Sequence, residues 1–214
     1  MQNNHLLKKA ILTLLLCAAM PILNAQVAHI GDILCEGDLI VSPANFNANT
    51  HTAKAVVFYV DNTGQHGWAI ALQDAGSFPW GGFSHDTPLP NYGNNRQAIY
   101  DLDGHENTRI LLYEDNYTHA AFNAVDFEHG WYVPTIGQFN YLYGNLNEVN
   151  TSLGMVGGSP FVGSWYYWSS TEYSSDDAWI LSNSGNLEHH YGNWGYSQYY
   201  AKSADQLVRA AINF

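Results

Sequence analysis

The chain has 214 residues, with nineteen acidic side chains against seven Lys and Arg and a formal net charge of −12 at pH 7. That length suits one domain, or two small ones, with a real core, and a composition 46% apolar and 12% charged excludes a disordered or coiled-coil chain. The acidic balance excludes nucleic acid and anionic membrane surfaces as partners, because both need clustered Lys and Arg.

Residues 1–25 read as a secretory signal peptide. Lys8 and Lys9 form its positive end, Ala10 to Met20 is apolar apart from Thr13, and Pro21 and Ala25 lead to cleavage after Ala25. The competing reading is a membrane anchor, but the apolar run is short for a span. Lipidation at Cys17 is disfavoured by Leu16 before it. Cleavage removes two lysines and no acid, and leaves Cys35 as the one cysteine. The expected product is exported (periplasmic, cell-surface or extracellular), has no membrane span and no intramolecular disulfide, and holds together by packing.

From residue 27 the pattern is of strands: Asp32 to Cys35, Leu39 to Ser42, Ala53 to Val60 and Gly67 to Leu72. The last two flank Asp61-Asn62-Thr63-Gly64, a turn signal between apolar runs, which predicts a hairpin. Residues 74–104 are rich in Gly, Pro, Asn and Asp and read as a long loop. Thr108 is the expected cap of a first helix, whose apolar stripe runs through Ile110, Leu111, Tyr113, Ala120, Ala121 and Phe122. Pro134-Thr135 opens a second, with Ile136, Phe139, Leu142, Tyr143 and Leu146 at helical spacing. Gly154 to Gly163 breaks that pattern. Short strands and loops return from Trp165, and Gln206 to Phe214 closes the chain as a terminal strand. The expected organisation is thus a signal peptide (1–25), an N-terminal β-rich part (26–107), and helices with C-terminal ligand-binding strands and loops (108–214).

Gly130-Trp131-Tyr132-Val133-Pro134-Thr135, Tyr167-Trp168-Ser169-Ser170-Thr171-Glu172-Tyr173, Ala178-Trp179 and Val208-Arg209-Ala210-Ala211 come in an order that resembles the Lcl C-terminal domain family. Gly31-Asp32-Ile33-Leu34, Val56 to Val60, His66-Gly67 and Asp101-Leu102-Asp103-Gly104 resemble the N-terminal half of exported gut-bacterial members. The resemblance implies an α+β, C-type lectin-like fold, with two helices packed on antiparallel strands and long irregular loops. It leaves function open, since that fold serves sugar binding, protein binding, phage adhesion and, in the formylglycine-generating relatives, oxidation of a cysteine. Trp168, Trp179 and Leu181 fall on the family's framework and are expected in the core.

Calcium lectins of this fold use Glu-Pro-Asn or Gln-Pro-Asp with Trp-Asn-Asp, and neither triplet occurs here. Asp101, Asp103 and Glu106 offer oxygens for a hard cation, set against a structural turn capped by Asp side chains. Glu188-His189-His190 offers zinc ligands, although adjacent His side chains on a strand point to opposite faces. His85-Asp86 and His105-Glu106 are acid–base neighbours in sequence, which is not a catalytic geometry. Nucleophile elbow, P-loop and His-Glu-x-x-His motifs are all missing. The expectation is therefore a non-enzyme with no cofactor and no metal.

Between Ser164 and Tyr200 the chain is dominated by Tyr, Ser, Trp, Asn and Gly, the alphabet of antibody binding loops. Tyr173, Asp176, His189, His190, Tyr191, Asn193, Trp194, Tyr196 and Tyr199 are too polar and too aromatic for a core run, and form the expected contact surface for a protein or glycan ligand. The carbohydrate-binding alternative rests on the same rings, which stack on sugar faces. An adhesin or scaffold subunit is the other alternative. The same mixture is compatible with a retroelement-diversified variable protein, in which adenine mutagenesis turns Asn codons into Tyr, Ser, Asp and His.

Overall fold

The computed structural model describes residues 27–163, 165–182 and 197–214. The signal-peptide segment lies outside them. They form an α+β domain with two sheets and few helices. The first sheet has the order β2-β1-β3-β4-β11-β6, from β1 (Ile33–Cys35), β2 (Ile40–Val41), β3 (Ala53–Val60), β4 (Gly67–Ala71), β6 (Trp131–Tyr132) and β11 (Ala211–Asn213). Its pairings are antiparallel. The second has the order β5-β10-β7-β8-β9, from β5 (Gly76–Pro79), β7 (Tyr166–Glu172), β8 (Asp177–Ser182), β9 (Ser197–Ala201) and β10 (Asp205–Val208). There β10 and β7 run parallel while the other pairs are antiparallel.

The expected hairpin is present, with Val60 opposite Gly67 and Val56 opposite Ile70. Its turn is held by Asp61, whose Oδ1 accepts from Thr63 N–H, Thr63 Oγ1 and Gln65 N–H. Gly64 supplies the left-handed residue, at φ 72°. Residues 74–104 are not a bare loop, because β5 and a short helix α1 (Asn95–Ala98) lie within them.

The first helix departs from expectation. It is α2 (Gly104–Tyr113), capped by Asp103, whose side chain accepts from Glu106 N–H at 3.0 Å. Thr108 sits inside it, fully buried, and its Oγ1 accepts from Val133 N–H. Ala120–Asn123 is a separate short helix, α3. The apolar stripe read across 110–122 thus belongs to two helices with a turn between them. The second helix, α4 (Ile136–Gly144), begins as expected. Thr135 caps it, and Thr135 and Gln138 form a reciprocal capping box. It stops at Asn145, whose Nδ2 donates to Phe58 O and Tyr141 O. α5 (Leu146–Met155) then starts, with Asn145 the shared cap of both helices.

Side-chain alternation explains the core. On the second sheet, Tyr167, Trp179 and Leu181 point toward α4 and α5, where they meet Phe139, Leu142, Val149 and Leu153, and Val56, Phe58 and Ile70 of the first sheet. Trp168, Ala178 and Ile180 point the other way, against Leu111 of α2, Phe122 of α3 and Trp80. Both faces of this sheet are therefore covered. The three framework residues named from the resemblance are at most 3% exposed.

The C-terminal strand expected over Gln206 to Phe214 is two strands in two different sheets. β10 ends at Val208, Arg209-Ala210 turns the corner, and β11 begins at Ala211. Residues 67–79 make the matching crossing, from β4 to β5. Ala71 N–H donates to Ala210 O and Ala75 N–H to Val208 O, so the two segments pair as one bent ribbon through both sheets. Arg209 sits inside the bend, 1% exposed. Its Nε donates to Asp74 Oδ1 at 2.5 Å and its NH1 to Ser159 O at 2.6 Å, and its guanidinium lies 4.2 Å from the Phe161 ring centroid.

Candidate functional site

The expected contact surface is described at three of its residues. His189, His190, Tyr191, Asn193, Trp194 and Tyr196 lie outside the described residues. Tyr173 opens the turn between β7 and β8, and Tyr199 lies on β9, opposite Trp179 in register. The two tyrosine rings stack at 3.9 Å and 13°. Trp179 stands edge-on behind them, 5.4 Å from Tyr173 and 6.0 Å from Tyr199. Tyr199 is 51% exposed and Tyr200 47%. A buried indole thus backs a stacked phenol pair, Tyr173 half-buried and Tyr199 exposed, a geometry that presents rigid aromatic area to a ligand.

Asp176 is tied inward. Its Oδ1 accepts from both Ser84 N–H and Ser84 Oγ at 3.0 Å, fastening the loop after β5 to this turn. The same loop is fastened further along its length. His85 N–H donates to Ser175 O. Lys202 Nζ donates to His85 O, to Ser175 O and to Glu172. Glu172 and Lys202 are both fully buried, and Glu172 also accepts from Thr87 Oγ1 at 2.6 Å. Burial pushes the Glu172 carboxyl up, against the pull of Lys202 and Thr87.

The 101–106 segment does structural work. Asp101 is buried, and its Oδ2 accepts from Thr171 Oγ1 at 2.7 Å and Asn107 Nδ2 at 2.9 Å. Burial raises its carboxyl more than those bonds lower it. Asp103 caps α2, and Glu106 pairs with Arg109 at 2.7 Å. Beside them lies an open cleft of about 530 Å³, lined by Trp68, Tyr92, Tyr100, Asp103, His105 and Asn213 among others. Tyr92 connects the cleft to the aromatic face, because its carbonyl accepts from Trp179 Nε1 at 2.9 Å.

One further cluster was not legible in the sequence. His85, Asp115 and His119 bring one ligand atom each within 4.8 Å of one another, the one such trio among the described residues. His85 comes from the loop after β5, while Asp115 and His119 bracket the turn between α2 and α3. Asp115 Oδ1 and Oδ2 lie 2.8 and 2.9 Å from His85 Nε2, and Oδ2 lies 2.8 Å from His119 Nε2. The His119 side chain is wholly buried, caged edge-on by Trp80 and Phe122, while Tyr117 stacks on His85 at 4.8 Å. Burial opposes ionisation of Asp115, but its hydrogen bonds with His119 and His85 outweigh it and leave the carboxyl below the usual range. Burial lowers the His119 imidazole despite Asp115. Gly81 makes the close approach possible: a Cβ there would lie 2.4 Å from His119 Nδ1. Trp80-Gly81-Gly82 was the signal available in the sequence. It marks a backbone that must pass tight against rings, but not which rings.

No protein-family model matches the chain, and no curated protein matches it in sequence. Among solved structures, a fimbrial protein from Bacteroides ovatus is similar in fold, with a TM-score of 0.67 and 21% sequence identity. The match covers 87% of this chain and 49% of that one, so this chain spans about half the length of its structural neighbour.

Proposed function

We propose that this is an exported, surface-exposed, non-enzymatic binding protein of C-type lectin-like architecture. It acts as an adhesin or scaffold subunit and meets a protein or glycan ligand through its C-terminal Tyr/Ser/Trp/Asn-rich loops. The observation that carries the reading is the stacked Tyr173–Tyr199 pair, with Tyr199 half exposed over the buried Trp179. Rings held in this way lose little entropy on contact, which is what makes tyrosine an economical anchor. The fimbrial neighbour supports the surface and adhesion side of the proposal. The contact residues are Tyr173 and Tyr199 together with His189, His190, Tyr191, Asn193, Trp194 and Tyr196. Asp176 holds the turn that carries Tyr173.

A carbohydrate-binding reading has its own observation, the cleft in which Trp68, Tyr92 and Tyr100 stand with Asp103, His105 and Asn213. Rings beside carboxylate, imidazole and amide groups suit a sugar's apolar faces and hydroxyls. One experiment separates the two: binding of the labelled protein to a glycan array and to intact epithelial and bacterial cells, with and without calcium. A buried aromatic anchor carries about 2 kcal/mol. Tyr199→Ala should therefore weaken cell binding roughly 30-fold, with an unchanged unfolding midpoint, and Tyr100→Ala should leave it alone. Loss with Tyr100→Ala and not with Tyr199→Ala moves the site to the cleft. Full binding by both variants refutes both placements.

A further inference from the structure

We propose that His85, Asp115 and His119 form a transition-metal site, with zinc as the fitting ion. The donors are two imidazole nitrogens and one carboxylate oxygen, a set that suits zinc and not calcium, whose ligands are oxygens. Zinc holds such atoms at about 2.0–2.2 Å, so at tetrahedral angles neighbouring ligand atoms stand roughly 3.4 Å apart. Here the carboxylate lies 2.8 Å from each Nε2, and the whole trio spans no more than 4.8 Å. Opening each contact by about half an ångström admits the ion. His85 is the 31% exposed member and gives the outward side, where a water or a ligand atom completes the fourth position.

The second observation is the far nitrogen of His119. Nδ1 is buried without a hydrogen-bond partner and faces the Trp80 backbone. When Nε2 of a neutral imidazole donates to Asp115, Nδ1 is a bare acceptor, and it meets no donor there. An unmatched buried acceptor is costly. A metal on Nε2 reverses the assignment, because the proton then sits on Nδ1, directed at the Trp80 backbone. Ligating histidines commonly place their second nitrogen in this way. Trp80 and Phe122 hold the ring in the required plane, and the absence of a side chain at Gly81 leaves room for it.

The site would clip the loop after β5 to the corner between α2 and α3. That loop also carries Ser84 and the His85 backbone, which hold Asp176 and Ser175. Zinc would therefore fix the turn that bears Tyr173, without touching a ligand itself.

The test uses the full secreted chain, stripped with EDTA and dialysed against zinc chloride, with bound metal counted by mass spectrometry. One equivalent is expected, and cobalt in its place should give the intense visible bands of tetrahedral nitrogen–oxygen coordination. His85→Ala and the same-shaped Asp115→Asn should each lower zinc affinity by about 100-fold or more. The double variant His189→Ala/His190→Ala should take up one equivalent of zinc as the parent does. No bound zinc in the parent, octahedral cobalt bands, undiminished binding in His85→Ala, or loss confined to the 189/190 variant each overturns the proposal.

Discussion

The ion pair at the bend between the two sheets makes an asymmetric prediction. Arg209 is 1% exposed, whereas the Asp74 side chain keeps 27% of its surface. Removing the arginine leaves a carboxylate that water already reaches. Removing the aspartate leaves a guanidinium with no counter-charge among Phe161, Tyr167 and the Ser159 carbonyl. An uncompensated buried charge costs about 3–5 kcal/mol. Asp74→Ala should therefore destabilise by about 4 kcal/mol. Arg209→Met keeps most of the stem's packing and loses the hydrogen bond to Ser159 O and the contact with Phe161, so about 1–2 kcal/mol is expected. In the double variant the stranded charge is gone, and its cost should fall near that of Arg209→Met alone, a coupling of about 4 kcal/mol. Urea unfolding of the four proteins, followed by tryptophan fluorescence, measures this directly. The reasoning is refuted if Arg209→Met costs as much as Asp74→Ala, or if the two losses simply add.

Two other predictions test the frame and the surface. Trp168 is fully buried, with Nε1 donating to Phe78 O at 2.8 Å, so Trp168→Ala should cost about 4 kcal/mol of unfolding free energy, most of it from the cavity; a loss below about 1 kcal/mol would put the indole outside the core. His129 contacts Asp126 at 2.8 Å, and that hydrogen bond, with the charge behind it, raises its imidazole above 6.5. A raised histidine adds stability that is complete below its unfolded pKa and lost as pH climbs through the folded one. NMR titration should therefore place His129 above the ordinary histidine value in the parent and bring it down toward that value in Asp126→Asn.

Local signals were read well where local chemistry decides the outcome. Ala53–Val60 is a strand over its full expected length because a nearly continuous, β-branched and aromatic apolar run ends in an Asp61–Gly64 turn that makes its own hydrogen bonds. The helix after Pro134 starts where Thr135 and Gln138 satisfy each other. The misreadings were decided at a distance. Thr108 has the chemistry of a cap, but Asp103 reaches an open N–H first, and Thr108 is instead buried against Val133. Gln206 to Phe214 carries Leu207, Val208, Ala210, Ala211 and Ile212 and reads as one strand, and nothing local announces that Arg209 turns the chain toward Asp74. The face at Tyr173 and Tyr199 was legible as composition. The trio at 85, 115 and 119 was not, because His85 lies on a different loop from Asp115 and His119, and the three meet only when α2, α3 and the segment after β5 pack together.

The bent ribbon also sets an order of events. β11 lies between β4 and β6, and β10 between β5 and β7, so residues 205–213 are interior strands of both sheets. Ile70 waits for Ala211, and Ser77 for Leu207. A chain delivered from its N-terminus therefore holds two open sheets with unpaired edges until residues 205–213 emerge. Such contacts, remote in sequence, make closure slow, and open edges invite pairing with other chains. For the export proposed above, closure of both sheets works against backsliding, since this domain acquires its folded bulk only after residues 205–213 have arrived on the far side.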